Sequence, residues 1–513
     1  MEGAMSQPAI SLDSAASGFG DRVRSAVLWR WGSQVLAQII TWTTTIMVVR
    51  LLDPHDYGLF AMTQAILAAL NFVNGYGFAS SLISAKEVDE RRVGQVFGLL
   101  IIANAILATT QVLMAPLAAR YYGQPEVANM LYVQALIYLT TPFIALPASL
   151  LARGLHFRTQ ALVNLICAVV GASVALTLAW SGYGVWALVW APIAMFSTRA
   201  LGLTLAAGRL VKPIFDFRGS RDIIGFGTAF TLSQLFWVVQ SQSDIFIAGG
   251  RFSPHDLGLY SESLFLVLIF TGRFLPPLNE VAFPAYAELN NTGAPLGPAF
   301  VSGMRMIMLI ATPFYVGLSL AAGPLVGTFF GPKWLAMIPI VTGLALAMPA
   351  MALQIICSPT TNALGRPGIY LFTNAAGAVI MPACFFFGIA AGPAGLVMAW
   401  QIAAPLLLAV TLAATLPAIG VRIGQMLTAL LPALTGCGVM ALAVWALESR
   451  IAGLSAPLQL ALIAPTGAAV YVGTLGLLWP SLLRQAWTML HKPRASAPAP
   501  AGQTTTTPNG AAA

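Results

Sequence analysis

The chain has 513 residues, of which 58% are apolar and only 8% charged, with a mean hydropathy of +0.81. A water-soluble domain carries about 25% charged residues, so this composition excludes one and points to an all-α, polytopic membrane protein. The formal net charge of +8 reads as topology and attraction to anionic lipid, with no reason to expect a nucleic-acid partner.

Residues 1–20 are Ser, Ala and Gly rich and lack a basic segment followed by an apolar core, so they read as a disordered cytoplasmic N-terminus without a cleaved signal. From Asp21 to Trp31, arginines and tryptophans mark the entry of the first helix into the headgroup layer. Windows of about 20 apolar residues then predict about 14 transmembrane helices. They lie near 27–49, 57–83, 93–119, 127–152, 160–181, 184–207, 223–249, 257–287, 298–321, 335–359, 368–391, 394–417, 425–447 and 457–480. From Pro493 the chain is Ala, Pro and Thr rich, and 483–513 read as a disordered cytoplasmic tail.

Of the 25 Lys and Arg residues, Arg50, Arg120, Arg251, Lys333 and Arg450 lie in loops after odd-numbered spans, and Arg30, Arg199, Arg273 and Arg305 lie within spans. All the rest lie in the termini or in loops after even-numbered spans. The positive-inside rule therefore places both termini in the cytoplasm. Cys167, Cys357, Cys384 and Cys437 all fall in predicted spans, where they read as small core residues, not disulfide or metal ligands.

One stretch recurs. Leu-Leu-Asp-Pro-His-Asp-Tyr-Gly-Leu-Phe at 51–60 returns as Arg-Phe-Ser-Pro-His-Asp-Leu-Gly-Leu-Tyr at 251–260, so Pro54, His55, Asp56 and Gly58 fall on Pro254, His255, Asp256 and Gly258. Each copy follows one apolar run and precedes another, which makes the repeating unit a span, a tight turn and a span. The proline sets the backbone, Asp56 is placed to cap the next helix, and Gly58 adds little bulk. One histidine per turn with no second ligand nearby is poor metal chemistry, so the turn reads as structural. Six spans separate the copies, and an even number makes the repeats parallel. The expected organisation is a six-helix bundle at 21–208, a cytoplasmic linker at 209–222, a second bundle at 223–418 around a shared central cavity, and two additional helices at 419–482. Prolines inside spans, such as Pro142, Pro147, Pro276, Pro277 and Pro349, predict kinked helices.

The sequence holds no phosphate-binding loop, nucleophile elbow or His-Glu-x-x-His motif. The expected class is a transporter with no catalytic residue, cofactor or metal. Charges within spans carry the functional reading, since one at the bilayer centre costs at least about 2.5–3.5 kcal/mol. Arg30 and Arg305 either snorkel to the headgroups or face a lumen; Arg199 and Arg273 lie deeper and read as lumenal. Together the four arginines form an expected cationic vestibule for an anionic cargo, such as a diphosphate headgroup or an acidic sugar. Asp244 is the candidate cation or proton site, unless Arg50 or Arg251 pairs with it. Glu280 lies seven residues after Arg273 on the same helical face, either as an ion-pair partner or as a second coupling carboxylate.

Several blocks in order resemble the Wzx-type polysaccharide exporters, most closely the WzxC-like branch. They are Trp29, Arg50-Leu-Leu-Asp-Pro-His-Asp-Tyr-Gly-Leu-Phe-Ala-Met, Leu82-Ile83, Ala115-Pro-Leu-Ala-Ala-Arg-Tyr-Tyr-Gly-Gln-Pro-Glu, Gly182-Tyr-Gly-Val-Trp-Ala-Leu, Ser243-Asp244-Ile-Phe-Ile-Ala-Gly, Gly258-Leu-Tyr-Ser and Ala282-Phe-Pro-Ala-Tyr. Ser243 stands where that pattern has Leu, and Ala248 shifts the following Gly by one place. The resemblance covers roughly 25–480 and implies the multidrug/oligosaccharidyl-lipid/polysaccharide (MOP) exporter fold. It implies an alternating-access flippase in the bacterial inner membrane that translocates undecaprenyl-diphosphate-linked oligosaccharide for exopolysaccharide, capsule or O-antigen. Expected partners are membrane lipids and a polysaccharide polymerase and co-polymerase. Two alternatives stay open: a small-molecule antiporter of the multidrug type, which favours an acidic cavity, and a membrane polymerase, which needs a larger extramembrane loop than any here.

Overall fold

The computed structural model describes residues 12–71, 89–154, 157–208, 211–216 and 236–484, and every regular element among them is helical. The helices are α1 (Leu12–Leu51), α2 (Pro54–Asn71), α3 (Glu90–Tyr122), α4 (Pro125–Arg153), α5 (Phe157–Trp180), α6 (Trp186–Ala207) and α7 (236–249). They continue with α8 (Pro254–Asn291), α9 (Leu296–Leu320), α10 (Ile338–Ala363), α11 (Pro367–Gly388), α12 (Gly392–Ile419), α13 (Ile423–Ile451) and α14 (Ala456–Leu478). Among the described residues, eleven stretches are long and apolar enough to cross a membrane, and one of them, Gly368–Ile419, folds back on itself as α11 and α12. The predicted spans at 57–83 and 223–249 are described only in their α2 and α7 portions.

Two expectations shift. Helix α1 begins at Leu12, so residues 12–20, read as disordered, are helical and precede the span-length stretch Gly32–Leu51; no proline interrupts Leu12-Asp-Ser-Ala-Ala-Ser, and the helix simply propagates backwards. Residues 1–11 and 485–513 lie outside the described set. Helix α4 breaks at Ala135 and again at Thr141, directly before Pro142, where proline disfavours a helical predecessor. Helix α8, by contrast, runs unbroken through Pro276, Pro277 and Pro284.

In the first half α5 packs between α1 and α6, and α4 joins α6 to α3. In the second, α10 is central and touches α8, α9 and α12, while α11 lies on α12. Helices α13 and α14 pad the outside of this half: α13 packs on α9, and Tyr471 of α14 passes over Gly436 to donate to the Leu309 carbonyl at 2.8 Å. Residues 211–216 of the linker strap onto the first half. Ile214 donates its amide to the Gly94 carbonyl at 2.9 Å, Asp216 pairs with Arg91 at 3.0 Å, and Gly94 and Gly98 leave room for the Ile214 chain.

The repeated turns form the joint between the halves. A Cβ on Gly58 would sit 1.7 Å from the Pro254 carbonyl oxygen, and one on Gly258 would sit 1.7 Å from that of Pro54. The contact is reciprocal, as an isologous interface is, and only glycine lets backbones approach this closely. From there α2 and α8 run against each other, burying Leu59, Met62 and Ile66 of one and Leu257, Tyr260 and Leu264 of the other. Both helix starts are closed by side chains. Asp256 donates its amide to Ser253 Oγ at 3.1 Å, whereas in the first copy Asp56 accepts from the Asp53 amide at 3.2 Å and the Val185 amide at 3.1 Å. Asp56 thus closes a capping arrangement from inside the helix and also tethers the α5–α6 turn.

Two flanking contacts repeat the symmetry at this turn end. The end of α1 is held by the segment after α9: Trp334 Nε1 donates to the Val49 carbonyl at 2.9 Å, Arg50 donates to the Thr328 and Phe329 carbonyls, and Lys333 pairs with Asp53 at 2.7 Å. The end of α7 is held by the end of α3: Tyr121 stacks on Phe246 at 4.8 Å and donates to its carbonyl, while Gly249 and Gly250 admit the two tyrosine rings. All three contacts join one half to the other. Toward the opposite end α8 becomes exposed, at Arg273, Phe274, Leu278 and Glu280 among others.

Candidate functional site

Below the joint each half encloses a cavity. In the first half a space of about 340 Å³ lies among α1, α2, α5 and α6, lined by Thr41, Thr44, Thr45, Tyr57, Phe60 and Met195. Its single charged lining residue, Glu262, belongs to α8 of the other half and has no hydrogen-bond or ion-pair partner among the described residues. In the second half a space of about 400 Å³ is lined from α7, α8, α10, α11 and α12 by Trp237, Gln240, Gln354, Tyr370, Asn374 and Trp400, among others, and by no charged side chain among the described residues.

The expected site residues divide among these surroundings. Arg30 lies on α1, with its side chain outside the described set. Arg199 lies on α6 one turn beyond Met195, close to Cys167 of α5, with a buried Nε that has no hydrogen-bond partner. Arg273 and Glu280 are both exposed on α8, and no ion pair joins them. Glu262, Arg273 and Glu280 are 11 and then seven residues apart, close to whole numbers of helical turns, so the face of α8 that enters the first half's cavity carries all three. Arg305 belongs elsewhere. It lines a separate space of about 660 Å³ between the start of α9 and the α12–α13 turn, with Ser302, Gln425 and Thr428.

Asp244 is sealed in the second half at 1% exposure, without Arg50 or Arg251 as partner. Trp400 Nε1 donates to Tyr260 Oη at 2.8 Å, Tyr260 donates in turn to Asp244 Oδ2 at 2.8 Å, and the Ile245 amide donates to Oδ1 at 2.8 Å. A buried carboxylate accepting this many bonds is held in place as a network. His55 and His255 are exposed at the turn end, the latter 3.6 Å from Asp256. No group of three or more His, Cys, Asp or Glu side chains suited to a metal ion occurs among the described residues.

Sequence reasoning did not single out the seam residues Trp334 and Tyr121, nor the amides of the second cavity. Glu262 was visible as a charge within a span, but nothing local tells that it crosses to the opposite half.

Two bundles joined at one end, with cavities on either side of the seam, define a polytopic transporter fold, and the solved structures agree. The chain superposes on the lipid II flippase MurJ in its inward closed conformation with a TM-score of 0.70 at 13% identity, covering 89% of this chain and 100% of that one. An inward-facing multidrug resistance MATE family transporter of the MOP superfamily matches with a TM-score of 0.60 at 15% identity over 74% and 94%. More narrowly, residues 47–339 match the polysaccharide biosynthesis protein family, and the chain belongs to it. Relatives include the teichuronic acid biosynthesis protein TuaB of Bacillus subtilis, 23% identical over 57% of this chain and 60% of that protein. The succinoglycan biosynthesis transport protein ExoT of Rhizobium meliloti is 24% identical over 60% and 62%, and the lipopolysaccharide biosynthesis protein WzxC of Escherichia coli is 20% identical over 57% and 60%. The matched stretches therefore span about three fifths of the length of these relatives.

Proposed function

We propose that the protein carries undecaprenyl-diphosphate-linked oligosaccharide across a bacterial inner membrane, from cytoplasmic to periplasmic leaflet, for a surface polysaccharide. The observation that carries this reading is the seam. The Gly58–Gly258 joint and its two flanking contacts all link one half to the other at a single end, which is what a structure needs if rocking of the halves is to open that end and close the opposite one. With both termini cytoplasmic, the sealed turn end faces the periplasm and the cleft accepts cargo from the cytoplasm. The roles of ExoT in transport and of MurJ as a flippase favour the same class.

In this reading Arg199, and Arg273 on the α8 face that enters the cleft, receive the diphosphate, for which the guanidinium fork is suited. The same role is proposed for Arg30 of α1, whose side chain lies outside the described set. Arg305 serves the separate space beside α13, where it meets the headgroup layer, and α13 and α14 form a wall for the polyprenyl tail. Asp244 keeps a structural place in its network, while Glu262 near the seam and Glu280 toward the opposite end of α8 are the carboxylates that the rocking of the halves moves between environments. The protein hands its cargo to a polymerase and co-polymerase and performs no covalent step itself. A multidrug-type antiporter is disfavoured by the uncharged lining of the second cavity and by the arginines.

The test is made in cells lacking the protein. Lipid-linked repeat units accumulate facing the cytoplasm, as read with a membrane-impermeant sugar-modifying probe, and complementation with an Arg199→Glu, Arg273→Glu double variant inserted at normal levels fails to restore export. Units that reach the periplasmic face unpolymerised would overturn the reading.

A further inference from the structure

The cavity of the second half has a chemistry that a diphosphate does not need. Its lining combines aromatic rings, Trp237, Tyr370 and Trp400, with the side-chain amides of Gln240, Gln354 and Asn374, and among the described residues no charged side chain reaches it. Gln240 is 1% exposed, yet neither its Oε1 nor its Nε2 has a hydrogen-bond partner, and Gln354 Oε1 is likewise unpartnered. Buried polar atoms without partners are rare and costly, at about 1–3 kcal/mol each. Here Gln240, its amide packed against Gly377 of α11 with donor and acceptor both unpartnered, borders a cavity of about 400 Å³, within the ordinary ~300–1,000 Å³ range of small-molecule sites.

An amide presents a donor and an acceptor side by side, which matches the paired hydroxyls of a sugar ring. The indole and phenol faces match its apolar C–H face, as amphipathic rings do where one side of a ligand is apolar and the other wet. An anion finds no cation here, and a hydrophobic tail would leave the amides unpaired.

We infer that this cavity is a saccharide subsite, which takes an uncharged pyranose of the lipid-linked oligosaccharide while the diphosphate stays with the arginines of the cleft. The cargo therefore straddles the halves: its phosphates lie toward α6 and the α8 face bearing Arg273, and its sugars enter the second half between α7, α8 and α11. Trp400 closes the far wall, its indole N–H held by Tyr260 and, through it, by Asp244. That network thus acquires a role, fixing the ring on which the sugar rests.

The inference rests on the flippase reading, and the experiment separates the two. Full-length protein in lipid nanodiscs is titrated with undecaprenyl diphosphate and, separately, with the same carrier bearing one glucose residue. The wild type binds the glucosylated carrier about tenfold more tightly, the worth of one or two hydrogen bonds and an aromatic contact. Gln240→Leu and Asn374→Leu each remove most of that increment and leave the affinity for the bare carrier unchanged. Equal affinity of the wild type for the two probes would overturn the subsite and leave the flippase reading intact. Loss of bare-carrier binding in both variants would make these amides structural and overturn it equally. If the wild type binds neither probe, both readings fall.

Discussion

The two halves share a scaffold and differ in what they enclose. At the 200-residue offset of the repeat, Thr41 and Thr44 on α1 correspond to Ser241 and Asp244 on α7, and Phe60 corresponds to Tyr260. In the first half these positions are hydroxyls and a phenyl ring around a cavity whose lone charge is borrowed from the other half. In the second they are a carboxylate and a phenol, tied by Trp400 into a buried network that backs an amide-lined cavity. The joint between the halves has stayed symmetric because Gly58 and Gly258 face each other and neither can change alone. The cavities face the cargo instead, and there the copies have diverged. Duplication kept what the repeats ask of each other and freed what they ask of the ligand.

Grafting the second half's carboxylate into the first should break the comparison most severely. Thr44→Asp places a charge beside Phe60 with no phenol or indole to hold it, and the protein loses at least about 2.5–3.5 kcal/mol. Adding Phe60→Tyr recovers part of that loss, and a thermal-unfolding series in detergent measures both; equal stability of the single and double variants would mean that the repeat offset does not map these positions onto each other in space. Filling the joint comes next. Gly58→Leu and Gly258→Leu should each cost about 1–3 kcal/mol through overpacking and by similar amounts, because the contact is reciprocal; the same thermal-unfolding series measures both, and a cysteine introduced at the exposed His55 of the turn should label faster in each variant as the seam is wedged apart.

Removing one phenol hydroxyl sharpens the contrast further. Tyr260→Phe strands Asp244 Oδ2 and the Trp400 indole N–H and costs about 1–3 kcal/mol, whereas Phe60→Leu in the first half leaves no polar atom behind and costs less than that. The smallest effect belongs to the exposed pair at the seam. Lys333→Ala removes a salt bridge to Asp53 that is half open to solvent, and stability changes by about 1 kcal/mol or less, more at low ionic strength than at high.

Much of the fold was legible. The spans follow from apolar length, the duplication from one repeated turn, and the break in α4 from Pro142. The repeat also marked Gly58 and Gly258 as special, though their small size suggested a tight turn and the reason proved to be a carbonyl from the opposite copy. The site was legible only as a set of charges. Helical spacing put Arg273 and Glu280 on one face but offered an ion pair that does not form among the described residues, and position within a span grouped Arg305 with the other arginines although it lines a separate space.

By itself, the sequence determined that this is a membrane protein, that it is built twice, and which charges fall inside its spans, because those properties are local along the chain. Only the tertiary structure decided that Glu262 enters the other half, that Asp244 is sealed behind Tyr260 and Trp400, and that five amide and aromatic side chains from three helices share one cavity with Trp400 of a fourth. Such neighbours lie far apart in sequence, and in a bilayer, where helix association rests on close packing and not on hydrophobic burial, no periodicity along one helix encodes which other helix will lie against it.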